Sequence, residues 1–440
     1  MNPFRKLTFL LLALAPGLVT AARAAQPPAR EPLHWWKGNL HTHTLWSDGD
    51  DFPEMVSEWY KTNGYHFLGL SDHNILQRGA KWITVTNAAR RATLEKYLAR
   101  HGTNRVEQRL TSNGVAQARL KTLDEFRGAL EERERFLMIP SEEITGKFKK
   151  HEIHLNATNL RDLIKPRGGT NVADTIQRHV DAVLAQRRRT GQPMFPHINH
   201  PNFGWSITAE DMMGVRGEQF FEVYNGHPTV HNEGDPHRAS CERLWDILLA
   251  FRLAEQGLGP LYALAVDDAH AYQQFRPTNS NPGRGWVMVR APRLWASAIV
   301  AAMEAGDFYA SSGVTLKDVK RSSRGLAIEI DAEPGVEYTT RFIGTLRGFD
   351  PSSRPGPLPK TDSLPVTRIY SDEIGAVLAE VRGPQAEYEL HGDELYVRAT
   401  VTSTKAKANP VIKGEAERAW VQPVVPPASP FAVPSRVRPR

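Results

Sequence analysis

The sequence of 440 residues predicts an α/β fold, a barrel of strands and helices followed by a small antiparallel β-sandwich domain. Near-continuous apolar runs, such as FLGL and LYALAV, alternate with longer segments of helical periodicity as far as Val314. Strands that are apolar on both faces are typical of a buried parallel sheet. About seven of these runs end in polar side chains, and a barrel gathers the ends of all its strands at one mouth. An open doubly wound sheet, the alternative, would gather such residues only at its switch point.

The chain begins with a pattern typical of an exported protein. Two basic residues precede an apolar run from Leu7 to Val19, and Ala22-Arg23-Ala24 supplies the small residues of a cleavage site. We therefore predict a cleavable signal peptide over residues 1–24. The apolar run is shorter than the roughly 20 residues that cross a bilayer, and no later segment is as apolar. The mature protein is expected in the periplasm or outside the cell, without a transmembrane anchor.

The amino-acid composition limits which partners the protein can bind and which bonds can stabilise its fold. The single cysteine, Cys241, excludes an intramolecular disulfide, so a bound metal is the expected supplement to the hydrophobic core. The formal net charge of +6 includes Arg5, Lys6 and Arg23 of the predicted signal peptide, so the mature chain carries a mild +6 − 3 = +3. No basic surface interleaved with aromatic residues indicates nucleic-acid binding. Nucleic acid is an open alternative as a partner, although no feature of the sequence indicates it. The oligomeric state is not predicted.

Changes in the pattern of apolar, polar and turn-forming residues along the chain predict its domain organisation. The barrel is expected over residues 33–314, with a helical insertion at 77–135 that is too long for an ordinary connection. Short alternating runs divided by Gly, Pro and Asp then predict the β domain over 315–425. The Pro-rich residues 426–440 are expected to be a disordered tail.

The predicted strands end in side chains that can bind metal ions. His41 and His43 lie two apart on the first strand, so both point to one face. Asp48 follows in the next loop, and similar groups end the later strands: Asp72 and His73, Glu142 and Glu143, His154, His200, Asn225 and His227, and Asp268 and His270. Imidazole and carboxylate ligands without thiolates suit Zn²⁺, Mn²⁺ or Fe²⁺. A multinuclear catalytic metal site is therefore expected.

Taken in order, these motifs resemble a known family. HxHxxxSDG, SDHN, a Pro-x-x-Glu after a strand, a lone His, NHP and DDAH are similar to the PHP (polymerase and histidinol phosphatase) superfamily of metal-dependent phosphoesterases. The resemblance covers roughly residues 35–314 apart from the insertion. It implies a distorted (β/α)7 TIM-like barrel and two or three divalent metal ions.

The resemblance also implies which residues hold each ion. His41, His43, Glu143 and Asp268 would hold the first ion, and Glu143 would bridge to a second ion completed by His154 and His200. Asp48, His73 and His270 would hold the third. Glu142 is the alternative bridge, and Asp48 stands where some members use histidine.

The implied activity is hydrolysis of a phosphomonoester or phosphodiester, with a metal-bridged hydroxide as the nucleophile and a small phosphorylated molecule as the substrate. Asp72 or His227 is the candidate catalytic acid, while Asn225 and Arg284 are candidate substrate contacts. Asp72 could equally support His73 or cap the next helix. Two alternatives remain: an amidohydrolase-like metal hydrolase, and a non-catalytic, metal-stabilised envelope-binding protein.

Overall fold

The protein is described from a computed structural model that covers residues 31–359 and 364–427. The predicted signal peptide and residues 428–440 of the predicted tail lie outside the described residues. Within the described ranges, no helix is both long enough and apolar enough to cross a membrane.

The first part of the chain alternates strands with helices, as the apolar periodicity predicts. Its elements are β1 (His34–Asn39), α1 (Pro53–Thr62), β2 (Phe67–Leu70), β3 (Lys81–Thr84), α2 (Ala88–His101), a 3-10 turn (Thr103–Arg105), β4 (Gln108–Leu110), β5 (Ala116–Leu120), α3 (Leu123–Leu130), β6 (Leu137–Phe148) and β7 (His151–Thr158). They are followed by α4 (Val172–Thr190), β8 (Phe195–Ile198), α5 (Ala209–Met213), β9 (Phe220–Asn225), α6 (Cys241–Ala254), β10 (Tyr262–Val266), β11 (Trp286–Ala291), α7 (Ala296–Glu304) and β12 (Phe308–Ser311).

The remainder of the described chain contains only strands. They are β13 (Leu316–Ser322), β14 (Gly325–Ile330), β15 (Tyr338–Leu346), β16 (Ser353–Arg354), β17 (Ile369–Tyr370), β18 (Ala376–Arg382), β19 (Gln385–Glu389), β20 (Glu394–Ala406) and β21 (Ala416–Val424). This all-β texture agrees with the alternating pattern of the sequence.

A 13-stranded sheet organises the molecule, in the order β10-β9-β8-β7-β6-β2-β1-β11-β12-β21-β20-β15-β18. β1, β2 and β6 are parallel neighbours, as are β8, β9 and β10. β7 is antiparallel to both of its neighbours, so the expectation of a wholly parallel set is wrong there. Only Lys149 and Lys150 separate β6 from β7. Two residues can close a hairpin, whereas a parallel connection needs a crossover of a dozen or more.

The two ends of the seven-strand stretch from β10 to β1 meet just beyond the strands. The N–H of Asp268 donates to the carbonyl oxygen of His41 at 3.0 Å, and the N–H of His43 donates to that of Ala269 at 3.0 Å. The polar segments after β1 and β10 are therefore held side by side. The structure is a mixed α/β fold, and the closed barrel stays a prediction.

Helices cover the sheet and define the cores. α4 and α6 pack on it through residues such as Ile176, Val180 and Leu248, all at 1% exposure or less. The Asn171 side chain caps the first turn of α4, and Gly191, in the left-handed conformation at φ 69°, ends that helix. These helices pack on the part of the sheet that contains β8 and β9, whose carboxyl ends lead into segments with predicted site residues.

The insertion is only partly helical, which corrects the prediction for residues 77–135. α2 and α3 are present, but β3, β5 and β4 form a separate antiparallel sheet. The segment Ser112-Asn113-Gly114 is a turn signal between two short polar runs, and Gly114 has φ 73°. Those runs lack the apolar content by which a buried strand is predicted. The charged sequence around them therefore predicts helix instead of strand.

The strands after Val314 continue the large sheet, because β12 pairs with β21, and β21 with β20. A second sheet, β13-β14-β19, packs against it around Phe342, Val397 and Val421. The described residues from Leu33 onward group as one compact unit, and the main sheet continues across the predicted boundary. The division into two domains stays a prediction.

Candidate metal centre

The first strand positions two buried histidines. After β1, the extended chain alternates, so His41 and His43 share a face while Leu40 and Thr42 are held behind them. The Asn156 amide donates to the carbonyl oxygen of Leu40 at 2.9 Å, and the Ser71 hydroxyl accepts from the N–H of Thr42 at 2.9 Å. Both imidazoles are completely buried. Their orientation is therefore fixed by the neighbouring strands.

Four of the predicted ligands meet at the centre of the site. His41 Nε2 lies 3.2 Å from Asp268 Oδ1 and 3.5 Å from Glu143 Oε2. His43 Nε2 lies 3.1 Å and 3.4 Å from the same two oxygens. Two imidazole nitrogens and two carboxylate oxygens thus converge on one small volume, the first cluster.

The second carboxylate oxygen of Glu143 faces a different pair of histidines. His154 Nδ1 lies 2.9 Å from Glu143 Oε1, and His200 Nε2 lies 3.5 Å from it. Glu143 therefore spans two groups of histidines, one with each oxygen. A carboxylate in this position can bridge two cations.

The third cluster comprises Asp48, His73 and His270, and it lies nearer the surface than the other ligands. Asp48 lies 3.6 Å from His43, 3.5 Å from His73 and 3.4 Å from His270. These four side chains offer ligand atoms that all lie within 4.8 Å of one another. All nine predicted ligands therefore lie in one connected constellation, with Asp48 at its exposed edge.

Unpaired buried atoms test whether this constellation fits a metal ion. His41 Nε2, His43 Nε2, Glu143 Oε2 and both ring nitrogens of His154 are buried without a hydrogen-bond partner among the described residues. Buried polar atoms are normally satisfied, since leaving one unpaired costs free energy. These atoms all belong to predicted ligands, and those of His41, His43 and Glu143 face one another in the first cluster. Divalent cations would satisfy them, so the donor set fits the metal.

The charges of the site are strongly coupled. Burial opposes a charge on His73, but Glu143 and Asp48 outweigh it and raise the pKa of His73 to about 11. Burial likewise opposes a charge on His154, yet Glu143 raises the pKa of His154 to about 9. Burial, with His270, lowers the pKa of His43 to about 3. Metal binding to these histidines would compete with protons, because only neutral imidazole is a ligand.

A buried glutamate, Glu222, organises the ligands from behind. Its Oε1 lies 2.6 Å from His41 Nδ1, and its Oε2 accepts the N–H of His200 at 2.8 Å. His197 lies behind the cluster, with its Nε2 3.2 Å from Glu222 Oε1. Sequence reasoning missed Glu222, although a lone acidic residue inside the apolar run FFEVYN was a usable signal.

Glu142 and Glu143 lie on opposite faces of β6, and of the two only Glu143 faces the histidines. Glu142 Oε1 accepts the N–H of Ile164 at 2.9 Å, away from the clusters. Burial raises the pKa of Glu142 to about 8. The bridging position therefore belongs to Glu143, whose Oε1 also accepts from Asn199 at 2.9 Å.

Three of the predicted catalytic and substrate residues have structural partners instead. The Asp72 carboxylate accepts from Thr44 N at 2.8 Å, Ser47 Oγ at 2.6 Å and Gln77 Nε2 at 2.7 Å, so it shapes the loop that carries Asp48. Asn225 is buried and donates to Glu222 at 2.8 Å and to Asp268 at 3.1 Å. Asn225 therefore contacts the ligand Asp268, whereas Asp72 contacts residues of the loop around Asp48.

Arg284, predicted to contact substrate, is a buried structural residue. Its guanidinium donates to the carbonyl oxygens of Gly226 at 2.8 Å, Asn279 at 2.6 Å and Arg276 at 3.0 Å. The sequence showed a cation in a loop but not the carbonyls around it. This corrects its assignment, because a guanidinium occupied by these backbone groups has little capacity left for a phosphate.

His227 is the remaining catalytic candidate, and it lies at the mouth. Its ring centroid is 5.5 Å from that of His270. The N–H of Thr229 points to His227 Nδ1 at 3.3 Å, so Nδ1 accepts, and the neutral ring carries its proton on Nε2. His227 can therefore present an N–H donor at the edge of the clusters.

Comparison with known proteins gives matches among solved structures only. No family model and no curated protein matches the chain. A two-domain protein from Bacteroides vulgatus containing a predicted PHP-like metal-dependent phosphoesterase aligns with 91% of this chain and 99% of its own, at 14% identity and a TM-score of 0.38.

Two further solved structures align with about half of the chain. A proposed metal-dependent phosphoesterase from Bifidobacterium adolescentis covers 53% of this chain and 87% of its own, at 12% identity and a TM-score of 0.27. An amidohydrolase from Chromobacterium violaceum covers 56% of this chain and 93% of its own, at 15% identity and a TM-score of 0.27. The solved structures to which this chain is similar thus include two described as metal-dependent phosphoesterases, one of them PHP-like.

Proposed function

We propose that this protein is an exported metal-dependent phosphoesterase of the PHP type, which hydrolyses a phosphomonoester or a phosphodiester. One observation carries the proposal. Nine imidazole and carboxylate side chains that follow the strands converge, and inward atoms of His41, His43 and Glu143 are buried without hydrogen-bond partners in the described structure. The seven strands from β1 to β10 are proposed to close as the distorted barrel, through the hydrogen bonds between His41, His43 and the segment after β10.

The ligands define what the protein contributes to the reaction. Two or three Zn²⁺, Mn²⁺ or Fe²⁺ ions, when bound, would supply Lewis acidity and lower the pKa of a coordinated water. Glu143 separates the histidine pairs with its two oxygens and so sets the spacing between ions. Glu222 holds the Nδ1 side of His41, which leaves Nε2 directed at the cluster.

A positive side chain at the mouth favours an anionic phosphoester over an amide. In the hairpin register, Thr145 is opposite His154 and Lys147 is opposite Glu152. Glu143, Thr145 and Lys147 therefore follow one another on one face of β6. Lys147 is exposed at the outer end of that face, opposite Glu152, and is the proposed contact for a phosphate oxygen. An amidohydrolase-like site would be expected to bridge its ions with a lysine, and Glu143 occupies that place here.

His227 is the proposed hydrogen-bond donor to the leaving group. Its Nδ1 faces Thr229, and its ring lies beside the ring of His270. A donor there could neutralise the developing charge on the leaving oxygen. Asp72 has no such role, since its carboxylate is occupied by the first loop.

Hydrolysis of an aryl phosphomonoester and the matching diester tests the function, with metal content measured on the same sample. Turnover with Mn²⁺ or Zn²⁺ that is lost with chelator is expected. Asp268→Ala should lose both metal and turnover, whereas His237→Ala, which changes an exposed histidine, should keep both. Bound metal without hydrolysis of either ester would instead favour the envelope-binding alternative.

A further inference from the structure

A cavity of about 480 Å³ lies between the insertion and the two loops that carry third-cluster ligands. One wall is the start of α2, with Asn87, Arg90 and Thr93; the opposite wall comprises Asp50, Gln273, Gln274 and Asn279. Asp50 follows the ligand Asp48 by two residues, and its N–H donates to the carbonyl oxygen of the ligand His270 at 2.9 Å. The cavity therefore lies beside the two loops that carry Asp48 and His270.

The insertion is fixed against these loops, so the cavity is a built feature. Thr93 Oγ1 donates to the carbonyl oxygen of Asp50 at 3.3 Å. The Lys96 ammonium lies 2.8 Å from Asp51 Oδ2 and 3.2 Å from Gln273 Oε1. α2 thus bonds to both loops at once.

Arg90 gives the cavity its chemical character. Its Nη1 is buried and has no hydrogen-bond partner among the described residues. The carboxylate of Asp50 on the opposite wall is already engaged, since it accepts the N–H of Tyr272 at 2.8 Å. Side-chain amides supply the remaining polar groups. A guanidinium without an acidic partner in a cavity this size is suited to a negatively charged group on a small organic molecule.

Resting on the proposed function, we propose that this cavity binds the leaving-group portion of the substrate and selects phosphoesters whose alcohol carries a second anionic group. The scissile phosphate would lie at the clusters while a carboxylate or a second phosphate reaches Arg90. The insertion then determines which substrate is accepted. This accounts for its close attachment to the loops of Asp48 and His270.

Matched substrates and variants test the inference. Phenyl phosphate, meta-carboxyphenyl phosphate and meta-phenylene bisphosphate differ only in the second group, and the two anionic esters distinguish a carboxylate from a phosphate. Arg90→Gln should raise KM for the preferred anionic ester by about tenfold, the loss expected for a charge-assisted hydrogen bond. Its kcat and its KM for phenyl phosphate should not change, and Arg90→Lys should recover part of the loss. Arg91→Gln, which removes the same charge from an exposed neighbour on α2, is the control.

A binding measurement separates this inference from the proposed function. Calorimetric titration with meta-hydroxybenzoate, meta-hydroxyphenyl phosphate and phenol needs no turnover. One of the two anionic compounds should bind the wild type more tightly than phenol, and Arg90→Gln should remove that advantage while Arg91→Gln keeps it. Equal binding of all three compounds, or equal effects of the two variants, would overturn the inference. Absence of hydrolysis with this binding pattern intact would overturn only the phosphoesterase proposal.

Discussion

At the residue scale, the two adjacent glutamates of β6 show how position decides chemistry. Glu142 and Glu143 have the same side chain and the same burial, yet one faces Ile164 and the other faces five histidines. The alternation of a strand produces this difference. The resemblance favoured Glu143 from its spacing after Pro140, and the contacts in the structure agree.

The pair provides a controlled test of the metal centre. Glu143→Gln should lower metal affinity by about 100-fold or more, because loss of residues that merely support ligands already costs 10–100-fold. Glu142→Gln should retain wild-type affinity, since its amide oxygen can still accept from Ile164. Metal content after dialysis against a fixed free concentration of Zn²⁺ measures both. Equal metal loss in the two variants would contradict the bridging assignment.

Glu142 should also make stability depend on pH. Burial raises its pKa from 4.5 to about 8 in the folded protein. Between these values the folded state retains a proton that the unfolded chain has lost. The stabilising contribution of this group is therefore full below 4.5 and is lost as pH rises through about 8. The slope is at most about 1.4 kcal/mol per pH unit.

Denaturant unfolding across this range, with chelator present, checks the dependence. The free energy of unfolding should fall less steeply with rising pH in Glu142→Gln than in the wild type, because the amide does not titrate. Other groups contribute equally to both proteins, so the difference between the two curves isolates Glu142. Parallel curves would show that its carboxyl is not protonated in the folded state.

At the element scale, the ends of strands were predictable and the pairing of strands was not. Ligands such as His41 and Asp268 follow apolar runs, and this local pattern is visible in the sequence. The antiparallel direction of β7 depends on a two-residue connection whose hairpin is set by the backbone of Lys149. The roles of Glu222 and Arg284 depend on partners distant in sequence, which spacing alone does not reveal.

The β6–β7 hairpin contains a residue with a strained backbone, and a substitution can relieve that strain. Lys149 has φ 54°, a left-handed conformation that costs a non-glycine residue free energy. Lys149→Gly should stabilise the protein by about 0.5–1 kcal/mol. Lys150→Gly removes the same charge from the same turn but should destabilise, because its φ is not positive. Thermal unfolding compares the two, and stabilisation of neither would argue against this turn conformation.

At the scale of the whole molecule, the strands after Val314 are integrated with the catalytic half. Gln422 on β21 exchanges hydrogen bonds of 2.9 Å and 2.8 Å with the backbone of Ala263 on β10. Arg284 joins the loop after β10 to Asn409, with Nε 3.3 Å from its carbonyl oxygen. The β strands therefore support the same loops that carry His227 and His270, a connection that a composition change at residue 314 cannot reveal.

Arg398 and Asp246 provide the sharpest test of this integration. Arg398 on β20 is 1% exposed and meets the Asp246 carboxylate on α6 with two bonds of 2.7 Å. Arg398→Ala would leave the buried Asp246 with only Tyr396 as a side-chain partner, at 2.9 Å. It should cost about 3–5 kcal/mol. Arg341→Ala, which breaks an exposed pair with Glu380, should cost at most about 1 kcal/mol.

The form of the unfolding transition then distinguishes one cooperative unit from two domains. If the continuous sheet makes the chain cooperative, Arg398→Ala lowers the midpoint of metal release and the midpoint of tryptophan fluorescence by the same amount. Two independent domains would behave differently: the strands after Val314 would melt first, and the metal would stay bound until a later transition. Because Asp246 is on the helix that packs behind β9, loss of its partner acts on both halves, and coincident midpoints are expected.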